Sequence, residues 1–340
     1  MQRLNRQAVV WLSALVLTGC PKDEPKKTEP SAKPAVSSAA PVASAAPAPA
    51  SASPSASASV AAPEKSALVL APVVPALAKE SSMDHADVFG WSADGASFAY
   101  CKHSGGLGGA TCVVFPREGK PETFGDFDEA KSEIDKALHA KLEERKKALA
   151  LATPPQRWAY PDLELTWDVP AGNTLRVGAR VKGEAPAFAI VLRDTHPGAE
   201  EGSTHPELIA LSADGAFLGV IAHSFHGEYT DNFATQVMAV GRVASIAYNN
   251  AGLDHHKKKE FKESAALFEK ASAADPGHAL AAYNLACAYA RLGDPRAEKA
   301  LGDALGRAGA TAAQMKKRAV SDDDFSSVKT AAWFVAATKG

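Results

Sequence analysis

Between Ala247 and Asp294 the chain writes one helical pattern twice, and this repetition constrains its fold more than any other feature. Asn250 recurs as Asn284, 34 residues on, and Tyr248 and Asn249 have counterparts in Ala282 and Tyr283. Small and aromatic residues fall where two helices can interlock: Ala247, Gly252, Phe261, Ala265, Phe268 and Ala271 in the first copy, Leu285, Ala286 and Tyr289 in the second. The spacing predicts helices over 244–257 and 261–274, ended by Pro276, and a second, shorter or differently packed pair after it. Neither hairpin can bury its apolar stripe alone, so the copies must stack and the last open face must be closed.

The period, the proline and the run Tyr283-Asn-Leu-Ala-Cys-Ala-Tyr-Ala-Arg-Leu-Gly-Asp294 resemble the tetratricopeptide repeat, a scaffold for binding other proteins. Departures are Ala251, His255 and Ser264 in the first copy and Gly302 in the second. The resemblance implies a concave groove lined by the first helix of each pair. It implies partner-binding roles for Asn250, Asn284, Tyr283, Lys257 and Arg291, with stabilisation of adjacent helices as the other role open to the two asparagines. Cys287 is expected to line that groove or to stay half-buried, and 255–259 to form a solvated turn. Ala310–Val320 and Asp322–Ala336 read as two closing helices; the acidic start of the second suits a helix dipole.

The other end of the chain reads as an export signal. Arg3 and Arg6 precede an apolar run from Ala8 to Leu17, too short to span a bilayer. The run ends in Leu17-Thr18-Gly19-Cys20, which resembles a bacterial lipobox. That resemblance implies lipidation at Cys20, cleavage after residue 19 and lipid anchoring in the cell envelope. Pro21 and Lys22 are not acidic, which points to the outer membrane. From 34 to 63 the chain uses only Pro, Ala, Ser and Val. No large side chain there offsets the entropy of ordering, so 20–83 is expected to be a disordered tether, reaching about 45 Å as a flexible coil, except that Leu68, Val69, Leu70, Val73 and Val74 within 64–77 are apolar enough to dock on the next domain or start its first strand.

Residues 84–242 carry strand patterns. Leu163, Leu165, Trp167 and Val169 alternate with Asp162, Glu164, Thr166 and Asp168, and Leu175, Val177, Ala179 and Val181 continue the alternation after a turn. Ala187–Leu192 is continuously apolar and reads as a central strand. Ser92-Ala-Asp-Gly95 returns as Ser212-Ala-Asp-Gly215, each an Asp-Gly turn between strands. These turns resemble hairpins of TolB-like propeller blades and of some secreted β-rich bacterial proteins; two copies are too few for a propeller. Phe127–Ala150 is a helix candidate, with Ala130, Ile134, Leu138 and Leu142 on one stripe and Glu143 spaced to meet Lys147. Cys101 and Cys112 lie on predicted strands of one hairpin, where export permits a disulfide; buried free thiols are the rival state.

The near-neutral charge, −2, favours neither nucleic acid nor an anionic membrane as partner. The Gly105–Gly109 cluster lacks the Lys-Ser/Thr and following helix of a phosphate loop. No nucleophile elbow or zincin motif occurs, so neither catalysis nor a cofactor is expected. His223, His226, Glu228 and Asp231 are metal-ligand types, but strand residues three apart point to opposite faces; a polar loop and no metal site are expected there, and 195–206 is expected to be a solvated loop. The whole is read as a multidomain α+β protein: signal peptide 1–19, lipidated tether 20–83, a mainly antiparallel β domain with one surface helix at 84–242, and a helical-hairpin domain at 243–340. The expected role is a non-catalytic scaffold for an envelope protein or peptide. The alternative is recognition of a glycan or peptidoglycan fragment by the β-rich part, with the repeats as structural support.

Overall fold

The computed structural model describes residues 68–70, 85–103, 109–128, 133–154, 156–194, 203–226 and 230–339. The signal segment, Cys20, the tether except 68–70, and the 105–108 glycines lie outside them. In chain order the elements are β1 (Leu68–Leu70), β2 (His85–Trp91), β3 (Ser97–His103), β4 (Ala110–Pro116), β5 (Glu122–Gly125), β6 (Phe127–Asp128), β7 (Glu133–Ile134), α1 (Lys136–Leu149), β8 (Gln156–Trp158), β9 (Leu163–Ala171), β10 (Thr174–Val181), β11 (Ala187–Arg193), β12 (Ser203–Leu211), β13 (Phe217–His226) and β14 (Thr230–Ala239). Helices α2 (Val240–Lys257), α3 (Phe261–Ala274), α4 (Ala279–Leu292), α5 (Arg296–Arg307), α6 (Ala312–Ser321) and α7 (Ala332–Thr338) follow.

The strands form three larger antiparallel sheets, ordered β2-β3-β4-β5, β11-β10-β9 and β12-β13-β14, with small ladders β1-β8 and β6-β7. The β12–β14 sheet is the middle layer. Leu208–Leu211 and Leu218–Ala222 are apolar apart from Gly219 and lack alternation, the pattern of strands covered on both faces. Leu208, Ala210 and Ile221 pack on one side against Trp91, Phe98 and Tyr100. Ile209, Leu211, Leu218, Val220 and Ala222 pack on the other against Leu175, Val177, Ile190 and Leu192, and against Val243, Ala244, Ala247 and Tyr248 of α2. Gly219 permits this closeness: a Cβ there would lie 2.5 Å from the Phe98 ring.

The two Asp-Gly turns are built alike. Ser92 Oγ donates to Asp94 Oδ1 (2.5 Å), which also accepts from the Ala96 N–H (2.9 Å). Ser212 Oγ donates to Asp214 Oδ1 (2.5 Å), which accepts from the Ala216 N–H (3.1 Å). Gly95 and Gly215 supply the left-handed residue, φ 67° and 69°. Arg117, at the end of β4, donates to both oxygens of Asp214 (2.8 and 3.0 Å) and lies 4.6 Å from the Phe217 ring, tying outer sheet to middle sheet. That guanidinium holds the Asp214 carboxyl well below the usual range.

Cys101 and Cys112 are register partners on β3 and β4 and are joined as a disulfide. Leu142 of α1 packs on them with Phe124. Three expectations for this region change. The helix begins at Lys136, because Phe127–Asp128 and Glu133–Ile134 pair as β6 and β7. Of the stripe, Leu142 is buried but Ile134 and Leu138 are exposed, and Glu143 pairs with Lys146 (3.3 Å). Strand β11 is an edge of its sheet, not its centre. Its unbroken apolarity has two causes: Ala187, Ile190 and Leu192 face the core, and Phe188 lies under the Arg176 guanidinium (4.2 Å) on the other face.

Strand β14 runs straight into α2, so position 242/243 falls in the first helical turn. Consecutive helices α2 to α5 pack pairwise. Gly252 lets Phe268 approach; a Cβ there would lie 2.6 Å from the ring. The segment expected as one helix from Asp322 holds a 3-10 turn, Asp323–Phe325, whose Asp324 N–H is accepted by Asp322 Oδ1, and then the short α7. Residues 255–257 are helical, not a solvated turn, and His256 is buried, with Nε2 3.0 Å from Asp324 Oδ2.

Three helices meet at His278. Its Nδ1 lies 2.7 Å from Ser245 Oγ, which donates to the Ala271 carbonyl (2.7 Å). Burial, reinforced by the charge of Arg242, pushes the His278 imidazole down to about 4. The unfolded chain therefore takes up this proton near the ordinary histidine value, and the folded chain only near pH 4. This contribution to stability is complete above about pH 6.5 and is lost as pH falls toward 4, on the order of 3 kcal/mol. Urea unfolding at pH 7 and pH 4.5 is expected to show such a loss, and His278→Gln to diminish it.

Candidate functional site

Tyr248 and Tyr283 occupy matching places on α2 and α4, and each ends on an aspartate from a covering segment. Tyr248 donates to Asp162 Oδ1 (2.5 Å), just before β9; Lys270 pairs with the other oxygen of that carboxylate (2.7 Å). Tyr283 donates to Asp322 Oδ2 (2.9 Å), and its ring meets Phe325 edge-on at 5.8 Å. Burial is the main cause that raises both phenols, with the aspartates adding to it. Phe325 in turn packs on Phe334 of α7 at 5.2 Å. Asp324 lies within ion-pair distance of His256 (3.0 Å) and Arg291 (3.5 Å).

The face that the repeat resemblance assigned to a partner is therefore largely occupied by the chain itself. Tyr283 and Asn284 are fully buried, which corrects the expectation that they line an open groove. Asn284 Nδ2 donates to Asn249 Oδ1 (2.8 Å), a bond within the helical layer. Asn250, the expected counterpart of Asn284, points to solvent. The structural period is 35: Tyr248-Asn249 matches Tyr283-Asn284, a dipeptide repeat visible in the sequence once the register is moved by one. Lys257 is exposed and paired with Asp254 (3.0 Å). Arg291 lies 5.0 Å from the Phe261 ring besides its approach to Asp324. Cys287 is fully buried, 3.9 Å from Asp322 Oδ2, rather than half-buried in a groove.

A second constellation lies in the middle sheet. The expected polar loop around His223 is strand: His223 to His226 belong to β13, and 203–206 of the expected 195–206 loop belong to β12. His223 stands opposite His205, ring centroids 4.9 Å apart. The register slips between Pro206 and Leu208, and this bulge brings Glu207 Oε2 to 3.7 Å from His223 Nδ1. His223 stacks on Phe233 at 4.5 Å, and Phe233 on Tyr100 at 5.3 Å. Burial pushes the Tyr100 phenol up to about 12. Counting back from the Asp214-Gly215 turn along both strands sets His223 opposite Pro206; the one-residue slip at the bulge, which no sequence pattern announces, is what brings His205 opposite it. His226 and Asp231 belong to strands, and Glu228 lies outside the described residues.

Among the described residues no helix is long and apolar enough to cross a membrane. Searches against family models, curated proteins and solved structures found no match.

Asn284→Ala removes a donor from buried Asn249 and is expected to lower unfolding stability by about 1–3 kcal/mol. Asn250→Ala is expected to change it by less than about 0.5 kcal/mol. Urea midpoints of the two variants beside wild type distinguish the buried asparagine from the exposed one.

Proposed function

We propose that this protein is a non-catalytic binding protein of the cell envelope, held there by a lipid on Cys20, in which the β layers carry recognition and the helices buttress them. In this reading α2–α3 and α4–α5 are two tetratricopeptide-like hairpins used as structure. The observation that supports it is the burial of Tyr283 and Asn284 under Asp322–Phe325, with Tyr248 engaged by Asp162. A groove whose central side chains are bonded to its own chain offers a partner little to grip; displacing the cover would expose Phe325 and leave buried polar groups without bonds. A recognition surface then lies elsewhere, and the β layers are the other large part of the described chain. The ligand class assigned is a glycan or peptidoglycan fragment, the polymer within reach of an envelope tether.

The full chain, in detergent micelles, is expected to co-sediment with purified peptidoglycan sacculi. Asn250→Ala and Lys257→Ala, both at exposed helical positions, are expected to sediment to the same extent. Absence of sedimentation would remove the glycan assignment. Loss of sedimentation in either variant, with unchanged circular dichroism, would return binding to the helical face.

A further inference from the structure

We infer that His205, Glu207 and His223 form a binding site for a divalent transition metal, of which zinc is the best match. The inference does not depend on the proposed function. One potential donor atom from each residue lies within 4.8 Å of the other two. Three donors on one zinc at about 2.0–2.2 Å stand about 3.3 Å apart in a tetrahedral arrangement, so closure needs a shift of about 1 Å or a rotamer adjustment. The donor set, two imidazoles and one carboxylate, suits zinc and other first-row divalent ions and discriminates against calcium and magnesium, which take oxygen.

The local architecture holds the three donors together. Two come from register partners on adjacent strands, and the third is delivered by a bulge, the device that re-aims a strand side chain. The His223 ring is fixed by its stacking on Phe233, 2° from parallel. Beside the site, the Thr204 and Ser224 hydroxyls bond to each other across the same strand pair (2.7 Å), pinning the register that aligns the histidines. Glu207 is 2 % exposed and His223 7 %. His205 is less buried and marks the side from which an ion arrives. Three protein ligands leave a fourth position for water or an oxygen of a ligand.

The other described group of potential ligands, Cys287, Asp322 and Asp324, is a weaker candidate. Asp322 accepts from Tyr283 and Asp324 meets His256 and Arg291, so its carboxylates already serve the helical core.

The test uses the full chain in detergent, stripped with a chelator and dialysed. Cobalt is added as a spectroscopic stand-in for zinc, and zinc binding is followed by calorimetry. The expected result is one equivalent of zinc bound, with cobalt giving the intense visible bands of a four-coordinate nitrogen–oxygen site. Glu207→Gln, which keeps the shape of the side chain, and His205→Gln are each expected to weaken zinc binding about 10-fold or more. His255→Gln, at a histidine outside the site, is expected to leave it unchanged. Should Glu207→Gln fail to fold, His205→Gln at the less buried ligand decides the matter. Absence of stoichiometric zinc binding by wild type overturns the inference. So does binding that persists undiminished in His205→Gln and in a folded Glu207→Gln.

Discussion

The middle sheet is buried on both faces, and the rest of the molecule is arranged to keep both faces dry. Along β12 and β13, Leu208, Ala210 and Ile221 turn one way and Ile209, Leu211 and Val220 the other, and each of them is under 2 % exposed. One side needs a sheet, supplied by β2–β5. The other needs more area than β9–β11 presents, and α2 fills the remainder with Val243, Ala244, Ala247 and Tyr248. Burying an aliphatic side chain contributes about 1.5–3 kcal/mol, so these contacts outweigh the polar pairs around them in holding the layers together. The polar pairs fix register: Arg117 on Asp214 across two sheets, Tyr248 on Asp162 across sheet and helix.

A helix used this way cannot also serve as one wall of an open groove. Helix α2 turns Tyr248 toward the β layers, and α4 turns Tyr283 toward the C-terminal segment, while Asn249 and Asn284 bond to each other between the two helices. The two solutions are chemically parallel, a buried phenol donating to an aspartate in each case. A layer of consecutively packed helices has two open ends, and each must be closed or solvated. Here the chain closes one with a sheet and the other with Phe325 and Phe334.

Strand and helix positions were legible where periodicity was strong. The 163–181 hairpin, the Asp-Gly turns and the helix over 261–274 follow the sequence pattern closely, because alternation and helical stripes report the side that is buried. Legibility failed where burial came from a distant partner. Ala187–Leu192 is apolar on both faces yet lies at a sheet edge, since Arg176 covers Phe188. Phe127–Asp128 and Glu133–Ile134 lie within the expected helix but pair as strands, and Ile134 and Leu138 of its stripe stay in solvent. The sequence singles out Asn284 but sets its counterpart one residue too far on: a 34-residue period selects Asn250, whereas the Tyr-Asn dipeptide selects the buried Asn249. The His205–Glu207–His223 group was invisible to local reading, because hairpin pairing and a bulge assemble it from residues up to 18 apart.

The account stands on α2 and the middle sheet forming one cooperative unit, and native-state hydrogen exchange in rising urea measures this directly. Amides of 217–222 in β13 and of 243–253 in α2 are predicted to converge on one opening free energy, with the same urea dependence. If α2 through α7 exchanges by a separate, lower-energy opening while β13 stays protected, the helices form an independent domain, and the claim that they buttress the β layers is wrong.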